Sequence, residues 1–260
     1  MFAETFRPHP RHVAVPSLPD KVPPGMWLLP SRAREQRAID TMRACADVGQ
    51  STPGLLIEDG CNYYIPRMPT NWSRLHLDDH HELCGALHAA WKANPGLEWY
   101  GIISDGVRPV TRDWDRLLIA ACAGKNFVSC NDNWRRDSRM AGILVFPGWI
   151  VEAMGYLSPP GMVHLYSDDI LEQIGAALDN WVYVEGVVVK DWHWTNPSAK
   201  AAPDECSRRS YKGVNLHEND RNVFRQWRYS PEFDAAVQRI KSAYVARTGL
   251  EWGPQAAVDG

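Results

Sequence analysis

The 260-residue sequence predicts an α/β fold, a mostly parallel sheet with helices on both faces in one compact domain. Three observations predict it. Short apolar runs bounded by glycine alternate with stretches of helical period through the first half of the chain, the pattern of β-α-β units. Two of those runs end in the same way, an acid followed by glycine: Glu58-Asp59-Gly60 and Ser104-Asp105-Gly106. A hydrophobic content of 45% and a charged content of 23% suit a chain of this length with a sizeable buried core.

Taken in order, residues 1–24 carry Pro8, Pro10, Pro16, Pro19, Pro23 and Pro24. That density opposes helix and interior strand, so the segment reads as an extended arm, either draped over the domain or loose. Residues 26–29 read as a short buried strand that Pro30 stops. A helix over 33–47 puts Ile39, Met42 and Ala46 on one face, and residues 54–59 form the next strand. Residues 61–72 are rich in turn formers. A helix then runs to about Asn94, with Leu83, Ala86, Leu87, Ala90 and Trp91 inward. A strand over 99–104 ends at Asp105, and a helix runs from Trp114 to near Gly124. Strands at 127–130 and 142–146 and helices at 147–156 and 168–179 follow. A long strand over 181–189 and closing helices at 217–229 and 231–247 complete the chain.

Composition narrows the function classes. A net charge of −3 gives no global attraction to nucleic acid or acidic lipid. Six cysteines without a Cys-x-x-Cys pair fit reduced thiols in a cytoplasm better than a disulfide framework. No apolar run approaches the roughly 18 residues of a membrane helix, and the amino terminus lacks a signal-peptide core. A soluble intracellular protein is expected. The 12 tryptophans read first as core packing and second as faces for a sugar.

Asp105 lies where open α/β sheets bind ligands, at the carboxyl end of a strand, and Gly106 lets backbone or ligand come close. Capping of a turn is its structural alternative. Asp168-Asp169 opens a helix, where an acid either caps the first turn or serves as a general base. A neighbouring acid raises the pKa of one of the two. His193, between Trp192 and Trp194, reads as a metal ligand or as a buried histidine bonded to backbone. An acid at a strand end, an acid at a helix start and a late histidine together suggest metal-assisted group transfer. Ser31, Arg32 and Arg34 follow a strand and precede a helix, a position that favours phosphate. Two weaker constellations read mainly as solvated faces. They are the helical His76–His80 pair within His76-Leu77-Asp78-Asp79-His80-His81-Glu82 and the stripe Arg221, Arg225, Arg228.

The order of these motifs resembles the GT-A glycosyltransferases, in particular small family 2-like members found in bacteria and phages, over about residues 27–227. Leu29-Pro30-Ser31-Arg32-Ala33-Arg34 looks like the strand and loop that hold the donor nucleotide. Glu58-Asp59 sits where an acid meets the nucleobase. Ile103-Ser104-Asp105 occupies the place of the DXD motif, with Ile103 where the first acid is expected and Arg108 just beyond as compensating charge. His164-Leu165-Tyr166-Ser167-Asp168 looks like the segment carrying the base, and His193 matches the histidine that completes the metal site.

The resemblance implies a GT-A type, Rossmann-like sheet with a donor-binding half at 25–135 and an acceptor-binding and catalytic half at 136–250. It implies a nucleoside-diphosphate sugar as donor, a UDP-sugar first, and Mn2+ or Mg2+ as cofactor. The acceptor would be a saccharide or a hydroxylated base in phage DNA, in a bacterial or phage-infected cytoplasm. Donor contacts fall to Pro30, Ser31, Arg32, Arg34, Asp59, Ser104, Asp105 and Arg108, and acceptor contacts to His164, Trp192 and Trp194. Asp105 and His193 would hold the metal. Asp168, with Asp169 next, would be the base of an inverting transfer. The alternatives are a carbohydrate or sugar-nucleotide binder without catalysis and a metal-dependent hydrolase built on His76–His81.

Overall fold

Nearly every apolar run of the sequence becomes a strand of one twisted sheet. The computed structural model describes residues 9–133, 142–192, 196 and 216–253. Its strands are β1 (Arg11–Val13), β2 (Gly25–Ser31), β3 (Gly54–Asp59), β4 (Trp72–Leu77), β5 (Trp99–Ile103), β6 (Val107–Pro109), β7 (Phe127–Asn131), β8 (Ile143–Pro147) and β9 (Trp181–Asp191). Its helices are α1 (Glu35–Asp47), α2 (Glu82–Ala93), α3 (Trp114–Cys122), α4 (Gly148–Met154), α5 (Ser167–Ala177), α6 (Leu216–Arg228) and α7 (Pro231–Thr248).

The strands lie in the order β1-β9-β7-β8-β5-β2-β3-β4, and β6 pairs with β9 off that path. Neighbours run parallel except at β8, which is antiparallel to β5 and β7, and at β6. Alternate side chains feed two cores. Leu28, Leu55 and Ile57 pack with α2, α4, α5, α6 and α7 on one face. Trp27, Leu29 and Leu56 pack with α1 and α3 on the other. This is the mostly parallel sheet with helices on both faces that the alternation predicts.

Tryptophan against glycine sets the spacing at the centre of the sheet. Gly25 is in register with Trp99, Trp27 with Gly101, and Gly54 with Trp72. In each pair the ring lies over the glycine, so that a Cβ on Gly101 would sit 2.2 Å from Trp27 and one on Gly54 2.5 Å from Trp72. The tryptophans are therefore chiefly packing groups, several of them covering backbone that carries no side chain.

Several boundaries differ from expectation. Pro30 does not stop β2, which continues to Ser31. Trp27 N–H points to β3, so by alternation the nitrogen of Pro30 faces β5, whose pairing with β2 ends at Leu28. Its missing donor therefore costs no ladder bond. In α1 the buried face is Ala38, Ile39, Thr41, Met42 and Cys45, and Ala46 is exposed. Residues 72–77 form a strand, β4, at the sheet edge with Ser73, Arg74 and His76 exposed and Leu75 and Leu77 half-buried, and the helix begins only at Glu82. Residues 107–109 make a strand too short for periodicity to reveal. The arm is tied down: β1 extends the sheet beside β9, Trp99 Nε1 donates to the carbonyl of Pro23 (2.9 Å), and Arg116 donates to that of Pro19 (2.6 Å). Among the described residues no helix is long and apolar enough to cross a membrane.

Candidate active site

From β2 the chain moves outward through β3 to β4, then returns to place β5 on the other side of β2. The carboxyl ends of β2 and β5 thus flank a topological switch point, the crevice where such sheets bind ligands. Ser31 ends β2, and Asp105 follows β5 by two residues.

Asp105 is almost fully buried and its carboxylate is held from the β2–α1 loop. Ser31 Oγ donates to Oδ2 at 3.0 Å and Arg34 donates to Oδ1 at 3.2 Å. The hydroxyl of Tyr63 lies 3.0 Å from Ser31 Oγ and accepts the backbone N–H of Arg34 at 2.9 Å. Burial pushes the pKa of this phenol well above its ordinary range, so it stays neutral and able to serve both partners. Thr41 Oγ1 donates to the carbonyl of Asp105 at 3.0 Å and itself accepts from Arg108. Arg108 also pairs with Asp40 at 3.6 Å; burial lowers its pKa, and Asp40 and Asp105 act against that shift. Ser104 is exposed on the rim beside Asp105. Pro30 is half-buried below the loop.

A second cluster adjoins the first. Asp59, buried at the end of β3, takes His80 Nδ1 on one oxygen (2.8 Å) and the N–H of His81 on the other (2.6 Å). Both oxygens thus organise the loop before α2. Beside it, Glu58 binds Arg74 at 2.6 Å. His80 Nε2 reaches Glu82 Oε1 at 2.7 Å, Arg32 reaches the same oxygen at 3.2 Å, and His164 Nδ1 lies 3.3 Å from Glu82 Oε2. The histidines, His164 first, hold the Glu82 carboxyl down at about 2. Asp220 of α6, completely buried, fixes the His164 segment by accepting the backbone N–H groups of Val163 (3.0 Å), His164 (2.8 Å) and Leu165 (2.7 Å).

Three non-glycine residues at helix entries around this region have positive φ: Ala33 (51°), Glu82 (56°) and Tyr166 (64°). Such backbone costs about 1–3 kcal/mol per residue and persists where surrounding contacts enforce it, often at functional sites.

Asp168 is exposed and Asp169 half-buried in the first turn of α5, on the chain that follows His164. Trp192 borders the Asp105 loop: its N–H donates to the carbonyl of Gly106 at 2.8 Å, and its side chain is 47% exposed. His193 and Trp194 lie outside the described residues. The structure therefore brings Ser31, Arg32, Arg34, Asp59, Asp105, Arg108 and His164 into two contiguous clusters, with Trp192 at the margin.

The helical histidine pair is a correction. His76 lies in β4 and His80 in the loop beyond it, engaged with Asp59 and Glu82. Among the described residues, no group of three His, Cys, Asp or Glu is arranged to hold a metal by itself. Asp105 offers one carboxylate, and its two oxygens already accept from Ser31 and Arg34, so among the described residues it could supply only part of a cation's shell. In the arginine stripe Arg228 is used internally, donating to Gln173 at 2.7 Å and covering Phe233, Arg221 makes a surface pair with Glu218 at 3.8 Å, and Arg225 is exposed.

Sequence reasoning missed Thr41, Tyr63 and Asp220, and it read Glu82 only as the end of a solvated run from His76. The three carry no local motif, and each matters through a partner more than 50 residues away or, for Tyr63, about 30. Asp220, an acid on the buried side of an amphipathic helix, was the one detectable signal.

No protein-family model matches the chain, and no curated protein matches it by sequence. Its fold is similar to solved structures. One is a mannosyltransferase from Pyrobaculum calidifontis in complex with GDP-Man and Mn2+, with a TM-score of 0.53 and 11% identity over 89% of this chain and 77% of that one. Another is GalNAc-T7 with UDP, GalNAc and Mn2+, with a TM-score of 0.50 and 9% identity; the match covers 91% of this chain and 60% of that one. At these identities the likeness is one of architecture, and the architecture is the GT-A type.

Proposed function

We propose that the chain is a glycosyltransferase that moves a sugar from a nucleoside-diphosphate sugar to an acceptor hydroxyl. One observation carries the reading: Ser31 and Arg34 converge on Asp105 at the switch point of a GT-A sheet, with Arg108 alongside and Arg32 on the same loop, turned to Glu82. Loss of the sugar leaves a diphosphate with several negative charges, and the guanidinium groups together with the N-terminus of α1 are suited to receive it. Asp105, with His193, would hold Mn2+ or Mg2+, which when bound neutralises charge developing on the diphosphate. Ser104 and Pro30 line the donor loop, and the Asp59 end of β3 is the proposed nucleobase side, with UDP the first candidate.

Asp168 would take the proton from the acceptor hydroxyl as it attacks the anomeric carbon, giving inversion, with Asp169 as the second candidate. His164, Trp192 and Trp194 would border the acceptor. A saccharide suits this site better than a hydroxylated base in duplex DNA, because two of the three arginines in the stripe already have partners. The test is turnover of UDP-, GDP- and dTDP-sugars with Mn2+ or Mg2+. At least one donor should be turned over, and Asp105→Ala and Asp168→Ala should each abolish transfer. Wild-type rates in both variants would overturn the mechanism. Tight donor binding without turnover would instead establish the non-catalytic binder, which Ile103 in place of an acid favours.

A further inference from the structure

We infer that Glu82 is a resting partner for Arg32, from which the guanidinium passes to the donor diphosphate. The inference rests on the donor reading above and adds a competition that sets donor affinity.

Arg32 belongs to the loop that carries Ser31 and Arg34 to Asp105, yet its guanidinium turns to Glu82 Oε1 at 3.2 Å. The same oxygen receives His80 Nε2 at 2.7 Å, and the other faces His164 Nδ1 at 3.3 Å. Arg32 and His80 are also in contact with each other. Arg32 and His80 share one oxygen and His164 takes the other, so departure of Arg32 leaves the carboxylate with His80, His164 and the N-terminal turn of α2 that it opens.

A diphosphate offers the departing guanidinium more charge and a paired set of acceptor oxygens that its planar fork matches. Arg32 is 28% exposed and Glu82 14%, so the pair is partly open to solvent with the acid as its more buried member. Glu82 is the first residue of α2, at a positive φ of 56°. Glu82 thus competes with the donor for Arg32. On release it keeps the two histidines, one of which lies on the segment leading to Asp168.

Competition predicts a sign that a merely structural role does not. UDP and GDP are titrated calorimetrically, with Mg2+, into the full chain and its E82Q, R32A and doubly substituted forms. E82Q should tighten binding about fivefold and R32A weaken it about tenfold, by the usual range for a partly exposed ion pair and a phosphate contact. The double variant should match R32A, because the gain needs Arg32. A second readout needs no variant at Glu82: the Arg32 side-chain Nε–H signal, assigned by its loss in R32A, should shift when UDP is added to wild type. Weaker or unchanged binding in E82Q, a gain that persists without Arg32, or an unmoved signal would each overturn the inference. Failure of wild type and E82Q to bind either nucleotide would overturn the donor reading itself, and this inference with it.

Discussion

Arg34 donates to Asp105 at 3.2 Å across 71 residues of sequence, and both side chains are largely removed from water. The pair ties the β2–α1 loop to the end of β5, so a change at either residue acts on both. Asp105→Asn keeps the shape but removes the charge that Arg34 and a divalent cation would share. Transfer should fall about 100-fold or more, and the cation should no longer raise the melting temperature in the presence of UDP. Steady-state turnover and a thermal-shift titration check this.

Asp220 is a structural anchor for a functional segment. Asp220→Ala leaves the N–H groups of Val163, His164 and Leu165 without their acceptor. The cost should be about 3 kcal/mol, partly relieved by water, and the melting temperature should fall by about 8 °C. Acceptor KM should rise more than donor KM, because the change lies on the His164 side.

Asp115 provides the contrast. It is completely buried and accepts the N–H groups of Ser51 (2.9 Å) and Thr52 (3.0 Å) and the Thr52 hydroxyl (2.8 Å), while Thr52 in turn accepts from Trp27 Nε1. Asp115→Ala should destabilise the chain by about 3 kcal/mol. Nucleoside diphosphate affinity of the folded protein should remain as in wild type, measured by titration well below the melting temperature.

Glu82 makes stability depend on acidity in a stated direction. Hydrogen bonds from His164 first and His80 second lower its carboxyl from 4.5 to about 2. A depressed carboxyl contributes stability that is complete above its unfolded value and lost as pH falls through its folded one. The advantage of wild type over E82Q in urea midpoint should therefore be full near neutral pH and shrink as pH falls from 4.5 to about 2. An advantage that stays constant through that window would exclude this role.

Gly101→Ala drives a methyl group into the Trp27 ring, which is fully buried and has no room to withdraw. Overpacking of this kind should cost about 3 kcal/mol, read from equilibrium unfolding. Gly96→Ala is the control for backbone alone: nothing lies within 4 Å, but its φ of 76° still disfavours a side chain, so the loss should be smaller.

Six of the nine described strands, the helices and the two acid–glycine strand ends were legible in the sequence, because burial on both faces of parallel strands leaves continuous apolar runs that any arrangement must hide; β1, β4 and β6, short or at an edge, were not. The sequence located Asp105 and the Ser31–Arg34 loop for the same reason, since strand ends are readable where apolar runs stop. It misread residues 72–82, where an edge strand with polar residues outward has neither a helical nor a clean two-residue period. Tertiary structure alone decided what those acids touch. Arg34 on Asp105, His80 on Asp59, Arg32 and His164 on Glu82, and Asp220 beneath the His164 segment all join residues distant in sequence. Such pairings depend on strand order and helix placement, and pairwise electrostatics over a few ångströms leaves no periodic trace along a chain.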